Sequence, residues 1–232
     1  MNAFTAPCVV FCLASIASLS ANAQMPDFLG RYVGELTIAE PAEYHLTDVG
    51  QTAYDNYDPN YGDPRQWDDC APEGIPALLL TPGVATVDML EVDGNIEMRY
   101  ERDDAVRTIY MGGDAAAQDN TVLGHSRGRF IDGVLEIETT YLDGGVVIAQ
   151  TRYPMSSDSR VVERYWREPG ENNLSMQVVV EDALNYSEPV EIGRTWVWSP
   201  DAPLLPWECV SLGPRHSDEL DIGELRRMLE AQ

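Results

Sequence analysis

The sequence of 232 residues contains no lysine, so all 15 of its basic residues are arginines. Without lysine, the chain cannot use Schiff-base chemistry or a lysine as nucleophile or general base. The 15 arginines stand against 39 acidic residues, which gives a formal net charge of −24 at pH 7. Contacts to phosphate need basic clusters, so this charge argues against nucleic acid and anionic membranes as partners. The acidity is typical of a protein that stays soluble in a salty or variable medium.

Charged side chains are also absent from residues 1–23. An apolar run at residues 9–19 precedes Ala21-Asn22-Ala23, which has the small-residue pattern of a signal-peptidase site. The run is too short to cross a bilayer as a helix. We therefore predict that residues 1–23 are a removable signal peptide. The mature chain is expected in the periplasm or secreted, without membrane attachment.

Cysteine is scarce, because removal of the predicted signal leaves only Cys70 and Cys209. In an exported chain, two cysteines far apart in sequence predict a disulfide. Such a bond would stabilise the fold by about 4–5 kcal/mol on the chain-entropy account. The alternative, a metal site, lacks cysteine or histidine partners nearby in sequence. We expect no metal and no cofactor.

Short alternating segments, rather than helical periods, dominate the chain. The turns Asp93-Gly94 and Asp132-Gly133 each join two such segments, which predicts β-hairpins. No βαβ spacing occurs, so the predicted fold class is all-β: an antiparallel barrel or strongly bent sheet of about eight or nine strands. This barrel-like domain covers residues 24–212. Residues Ile96, Met98, Tyr100, Leu135 and Ile137 are predicted to face inward.

Two segments fall outside the strand pattern. Residues 39–83 are rich in Pro, Gly, Asp, Asn and Tyr and have no sustained period, which predicts a long irregular arm that covers the barrel. The expected disulfide would tie this arm to the end of the last strand. Residues 213–232 are predicted to be a helical tail, whose one short helix begins after Ser217 as its N-cap.

Gly124, Ser126 and Gly128 form a G-x-S-x-G motif around His125. A nucleophile elbow requires a buried strand before the serine and a helix after it. Here a predicted β-hairpin follows the serine. We therefore interpret the motif as a tight turn, in which glycine permits unusual dihedral angles.

The same stretch carries a longer pattern, G-H-S-x-G-R-[W/F] followed by L-x-[V/I]-x-T, at residues 124–130 and 135–139. In this pattern the chain resembles a large family of exported bacterial proteins, with similarity over residues 67–209. Phe130 stands where that family usually has Trp, and Ser156 where His is common. The family brings no established activity, so the resemblance implies export and no particular reaction. The other shared residues are Cys70, Pro72, Arg107, Ile109, Ser157, Asp158, Glu163, Arg164, Asp182, Tyr186 and Pro189.

Several charged residues lie on strands whose faces are otherwise apolar. Because alternate strand residues share a face, Arg107 lies with Ile109, and Arg194 lies with Trp196. On the strand at 160–167, one face carries Glu163 and the other Arg164. A charge that faces a core must be paired. We expect Arg107, Arg194 and Glu163 to converge on one cavity.

Two classes of function stay open on this evidence. The first is a non-catalytic module of the lipocalin sort, since Gly30-Arg31-Tyr32 is similar to the G-x-W start of such barrels. It would bind an anionic or carbonyl-bearing small molecule through its inward arginines. The candidate ligand-binding residues are Arg107, Arg194, Arg164 and Ser126.

The second class is a small-barrel enzyme, an isomerase, lyase or hydrolase. In it His125 at the strand mouth would be the general acid or base, acting with Glu163 or Asp182. An internal Arg–Glu network that only braces the barrel is the structural alternative to both classes. The sequence leaves the ligand and the oligomeric state open.

Overall fold

The computed structural model describes residues 25, 28–57, 70–81, 85–112, 119–149 and 151–209. The strands in these ranges are β1 (Gly30–Ala39), β2 (Thr86–Val92), β3 (Asn95–Tyr100), β4 (Val106–Tyr110), β5 (His125–Ile131), β6 (Val134–Thr140), β7 (Gly145–Val146), β8 (Pro154–Met155), β9 (Arg160–Trp166), β10 (Leu174–Glu181) and β11 (Val190–Trp198). Nine of them form one closed barrel in the order β1-β11-β10-β9-β6-β5-β4-β3-β2, and β7 and β8 form a separate two-stranded sheet. Among the described residues between β1 and β2 are the helices α1 (Asp48–Asn56) and α2 (Ala77–Leu80).

The predicted all-β class and the barrel are confirmed, with one correction to the strand directions. Strands β4 and β5 run parallel, with Ile109 opposite Ser126, whereas the other neighbouring strands of the barrel are antiparallel. A parallel pair needs a long crossover connection. Because the two strands are parallel, β5 begins at the end of the barrel where β4 begins. The barrel is therefore mixed.

Both Asp-Gly hairpins form as predicted. Asp93 and Gly94 have φ angles of 50° and 77°, and Asp132 and Gly133 have φ angles of 50° and 84°. Two successive positive φ angles define the tight turn whose twist matches that of the flanking strands. The turns set the registers of β2 with β3 and of β5 with β6. The five predicted inward residues are buried in the core, each at 3% exposure or less: Ile96, Met98, Tyr100, Leu135 and Ile137.

The arm at residues 39–83 is less irregular than expected, because it contains α1 and α2. Thr47 is the N-cap of α1 and its hydroxyl accepts a hydrogen bond from the Gly50 amide at 3.0 Å. Only Gly50 of α1 is buried. The sequence of α1 therefore shows no helical repeat of apolar residues that would predict it. Helix α2 has the opposite character, since all four of its residues are buried.

The predicted disulfide is present. Cys70 and Cys209 are bonded, with Cα atoms 5.9 Å apart and 139 positions apart in sequence. The bond joins the arm to the segment that follows β11. In the described part of the chain, no helix has the length and apolar character needed to span a bilayer. The predicted signal peptide at 1–23 and the predicted helix in the 213–232 tail lie outside the described residues.

Candidate functional site

A buried ion pair between Arg107 and Glu163 lies inside the barrel. Strand β4 turns Arg107 inward beside Ile109, and β9 turns Glu163 inward between Val161 and Tyr165. The Arg107 Nη2 atom donates to Glu163 Oε1 at 2.6 Å, and Nη1 donates to Oε2 at 3.2 Å. The side chains are 2% and 0% exposed. The expected contact between these two residues is confirmed.

Hydroxyl groups complete the surroundings of this ion pair. Arg107 Nε donates to Ser126 Oγ at 2.7 Å, and its Nη2 also donates to Thr139 Oγ1 at 2.7 Å. The two hydroxyl oxygens lie 3.1 Å from each other. Tyr165 Oη donates to Glu163 Oε2 at 2.8 Å. The serine of the G-x-S-x-G motif therefore accepts from a guanidinium on a strand, and no helix follows it.

The protonation states in this cluster are set by burial and by the ion pair. Burial lowers the pKa of Arg107, but the charge of Glu163, its hydrogen bond to Arg107 and the nearby tyrosines together outweigh this and leave the pKa above its ordinary value. Burial raises the pKa of Tyr100 to about 12. Burial, and next the charge of Glu163, raise the pKa of Tyr165 well above its ordinary value. At neutral pH, Arg107 therefore stays charged and both phenols stay protonated donors.

Arg194 lies elsewhere inside the barrel, where β1 departs from its regular register with β11. Its Nε donates to the carbonyl oxygen of Glu35 at 3.1 Å, and its Nη1 donates to that of Leu79 in α2 at 2.7 Å. The guanidinium carbon lies 4.9 Å from the centre of the Trp196 ring. A Cβ atom on Gly34 would stand 2.4 Å from Arg194 Nη2, so the missing side chain makes room for the arginine.

Arg107 and Arg194 are both buried, but their hydrogen bonds go to different partners. The Tyr165 hydroxyl donates to Glu163, which holds Arg107. Burial lowers the pKa of Arg194 below its ordinary value. The part of the predicted convergence that concerns Arg107 and Glu163 is thus confirmed, and the convergence of Arg194 on the same cavity stays a prediction.

Two of the predicted site residues lie on the outer side of the barrel wall. Because Ser126 points inward, its neighbour His125 is on the opposite face of β5, where its ring stacks on Tyr110 at 4.9 Å. Arg164, the outward neighbour of Glu163, donates from Nε to Glu136 at 3.0 Å and is 41% exposed. The structure does not bring these two residues to the interior cluster. Their functional roles stay predictions.

Asp182, the other candidate acid, organises a turn at the end of β10. Its carboxylate accepts from the Ser156 amide at 2.7 Å and from the Ser156 hydroxyl at 2.8 Å. It also accepts from Asn185 Nδ2 at 2.7 Å and from the Leu184 amide at 3.2 Å. Thr47, at the start of α1, donates to the Leu184 carbonyl at 2.6 Å. This network fastens α1 to the barrel and is separate from the Arg107 cluster.

A third buried carboxylate, Glu73, was not predicted as a site residue. It accepts from Arg102 Nε at 2.8 Å and from Arg102 Nη2 at 2.5 Å, and the Thr81 hydroxyl donates to the same group. The Glu73 amide donates to Asp103 Oδ2 at 2.8 Å. We call Glu73, Thr81 and Arg102 the latch. Its members come from the aperiodic arm and from a turn, where the sequence carries no facing signal.

In the ranges that the structure describes, no three His, Cys, Asp or Glu side chains are grouped so as to hold a metal ion. The interior groups described above are hydrogen-bond donors and a buried ion pair. Such groups can recognise oxygen acceptors inside an apolar barrel.

Comparison with known proteins gives little beyond this geometry. No protein-family model and no curated protein matches the chain, so its resemblance to a family of exported proteins stays a prediction. Among solved structures, it is similar to the crystal structure of an asparagine-to-alanine mutant of the fluorescent protein UnaG, with 10% sequence identity and a TM-score of 0.36. The similarity covers 75% of this chain and 97% of that chain.

Proposed function

We propose that this chain is an exported, non-catalytic barrel that binds a small organic molecule through a carboxylate or carbonyl oxygen. The observation that carries the proposal is Arg194, a buried inward arginine that donates to the main-chain oxygens of Glu35 and Leu79. These acceptors are neutral, so a ligand oxygen can replace one of them without separating an ion pair. An anionic oxygen would form the stronger, charge-assisted hydrogen bond.

The strand number and the lining of the barrel are compatible with a small ligand. Closed barrels of about eight strands are either filled by their own side chains or hold one small ligand, and the diameter grows with strand number. The nine strands here enclose an interior that is mainly aliphatic and aromatic, with a few inward polar groups. Ligand sites in proteins combine such an apolar lining with a small number of fixed polar groups.

Arg107 has a different part in this proposal. Its guanidinium is already held by Glu163, Ser126 and Thr139, so a ligand at this position would have to break a buried ion pair. Separating such a pair costs several kcal/mol. Arg107 therefore braces the barrel wall, and Arg194 is the proposed anchor for the ligand.

The geometry favours binding over catalysis. A general base must lie within hydrogen-bond reach of the atom that it deprotonates. His125 lies on the face of β5 opposite Ser126, and Glu163 is engaged by Arg107 and Tyr165.

The disulfide between Cys70 and Cys209 supports export, because such bonds persist mainly outside the cytosol.

The test is calorimetric titration of the purified protein with acetate, benzoate, decanoate and neutral ketones. We expect Arg194→Gln to weaken the binding of the tightest ligand at least about tenfold. Arg129→Gln is the matched control, because Arg129 is 68% exposed in a surface ion pair and should leave affinity unchanged. Thermal unfolding checks that both variants are folded. Equal affinity in the wild type and in Arg194→Gln would refute the proposal.

A further inference from the structure

Helix α2 occupies the interior next to the proposed anchor. Its residues are Ala77, Leu78, Leu79 and Leu80, all buried, and the three leucines belong to the same core cluster as the barrel wall. Its Leu79 carbonyl receives the Arg194 hydrogen bond. We call Ala77–Leu80 the plug. The plug thus offers Arg194 one carbonyl oxygen as an acceptor, and its side chains are aliphatic.

We infer that the plug stands in the place of the ligand, and that the ligand is an aliphatic carboxylate that exchanges with it. This inference rests on the proposed function and adds the class of molecule and the means of entry. A carboxylate would replace the Leu79 carbonyl at Arg194, with a stronger hydrogen bond. A saturated tail would take the space of the leucine side chains. A polar body would instead be buried there without partners.

The latch controls this exchange, because it ties together the two chain segments that flank the plug. Glu73 precedes the plug and Thr81 follows it, and the Thr81 hydroxyl donates to the Glu73 carboxylate. Arg102, in the turn between β3 and β4, donates twice to the same carboxylate. The Glu73 side chain is 5% exposed and that of Arg102 is 23% exposed. Breaking these bonds lets the plug leave more readily.

The disulfide keeps the segment before the plug attached to the chain that follows β11 when the plug is displaced. Cys70, which lies before Glu73, is bonded to Cys209 beyond β11. The plug therefore leaves and returns as a tethered segment, and its return competes with the ligand. For such competition, the apparent dissociation constant is the intrinsic constant divided by the fraction of open molecules. A latch variant that opens the plug more often must bind the ligand correspondingly more tightly.

The first experiment titrates the disulfide-bonded protein with decanoate, decanol and acetate. Decanoate should bind most tightly, and each methylene added to a shorter tail should raise its affinity about fourfold. Thr81→Val and Glu73→Gln should each tighten decanoate binding about tenfold by raising the open fraction. Glu138→Gln, which removes an exposed negative charge beside Arg160 on the outer wall, is the matched control and should have no effect.

A second experiment uses the wild type alone, so it does not depend on the folding of a variant. The Leu79 amide donates to the Pro76 carbonyl, and the Thr81 amide donates to that of Ala77. Hydrogen exchange at these two amides should accelerate when decanoate saturates the protein. Unchanged exchange, or equal decanoate affinity in the latch variants and the control, would overturn the inference.

Failure of this inference is distinguishable from failure of the proposed function. If acetate binds as tightly as decanoate, plug exchange is refuted. If Arg194→Gln then loses this binding, the role of Arg194 as anchor is still supported. If none of the carboxylates binds to the wild type or to the latch variants, both proposals fail.

Discussion

Truncation of Arg107 to alanine should be among the most damaging single changes to this protein. Glu163 is fully buried, and its carboxylate is held by the Arg107 guanidinium at 2.6 Å. Removing one member of a buried ion pair leaves the other charge desolvated without a counter-charge, which costs about 3–5 kcal/mol. Ser126 and Thr139 keep each other as partners at 3.1 Å, so the uncompensated carboxylate dominates the loss.

The double variant Arg107→Met with Glu163→Leu separates the cost of a lone charge from the value of the ion pair. Replacing both charges by apolar side chains of similar size is often close to neutral. Here the Tyr165 hydroxyl also loses its acceptor, which costs about 1–3 kcal/mol. We therefore expect the double variant to be more stable than Arg107→Ala, with a free energy of unfolding about 1–3 kcal/mol below that of the wild type.

The assay is urea unfolding followed by circular dichroism, with the disulfide intact in every variant. Arg160→Ala is the control, because its ion pair with Glu138 has side chains 37% and 43% exposed. Truncation of such a surface pair costs at most about 1 kcal/mol. If Arg107→Ala costs no more than this control, or if the double variant loses as much as both single variants added together, the reasoning about a buried coupled pair is wrong.

Three further changes test other parts of the structure. Burial raises the pKa of Tyr100 to about 12, so its contribution to stability is complete below pH about 10 and is lost as the pH rises towards 12. Alkaline unfolding, followed by circular dichroism, should therefore move to higher pH in Tyr100→Phe. Replacing Cys70 and Cys209 by serine should lower the free energy of unfolding in urea by about 4–5 kcal/mol, and an unchanged midpoint would contradict this. Gly34→Ala should cost about 1–3 kcal/mol in thermal unfolding, because the added Cβ would stand 2.4 Å from Arg194 Nη2.

Local sequence determined the hairpins and the inward faces of their strands. Asp93-Gly94 and Asp132-Gly133 adopt positive φ angles at little cost, so each turn forms from its own residues and sets the register beside it. Alternation then places Ile96 and Leu135 in the core without reference to the rest of the chain. The disulfide was also predictable, because removal of the expected signal peptide leaves one pair of cysteines.

Facing arguments predicted that Arg107, Arg194 and Glu163 point into one cavity, but they did not fix every partner of these side chains. Glu163 and Arg164 alternate on β9, and the assembled barrel buries Glu163, as predicted. It also shows that Arg107 reaches Glu163, whereas Arg194 reaches the carbonyl oxygens of Glu35 and Leu79. Such contacts join strands far apart in sequence, and no local pattern encodes the distance between them.

Tertiary structure alone decided the parallel pairing of β4 with β5, the position of the plug and the latch that holds it. The leucines of Ala77–Leu80 make too short a run to indicate a helix, and their burial depends on a barrel that closes around them. Glu73 and Arg102 lie in aperiodic segments, and they meet only because the arm passes over the turn between β3 and β4. A sequence determines its own turns and alternation directly. The contents of a barrel depend on how all of its strands close together.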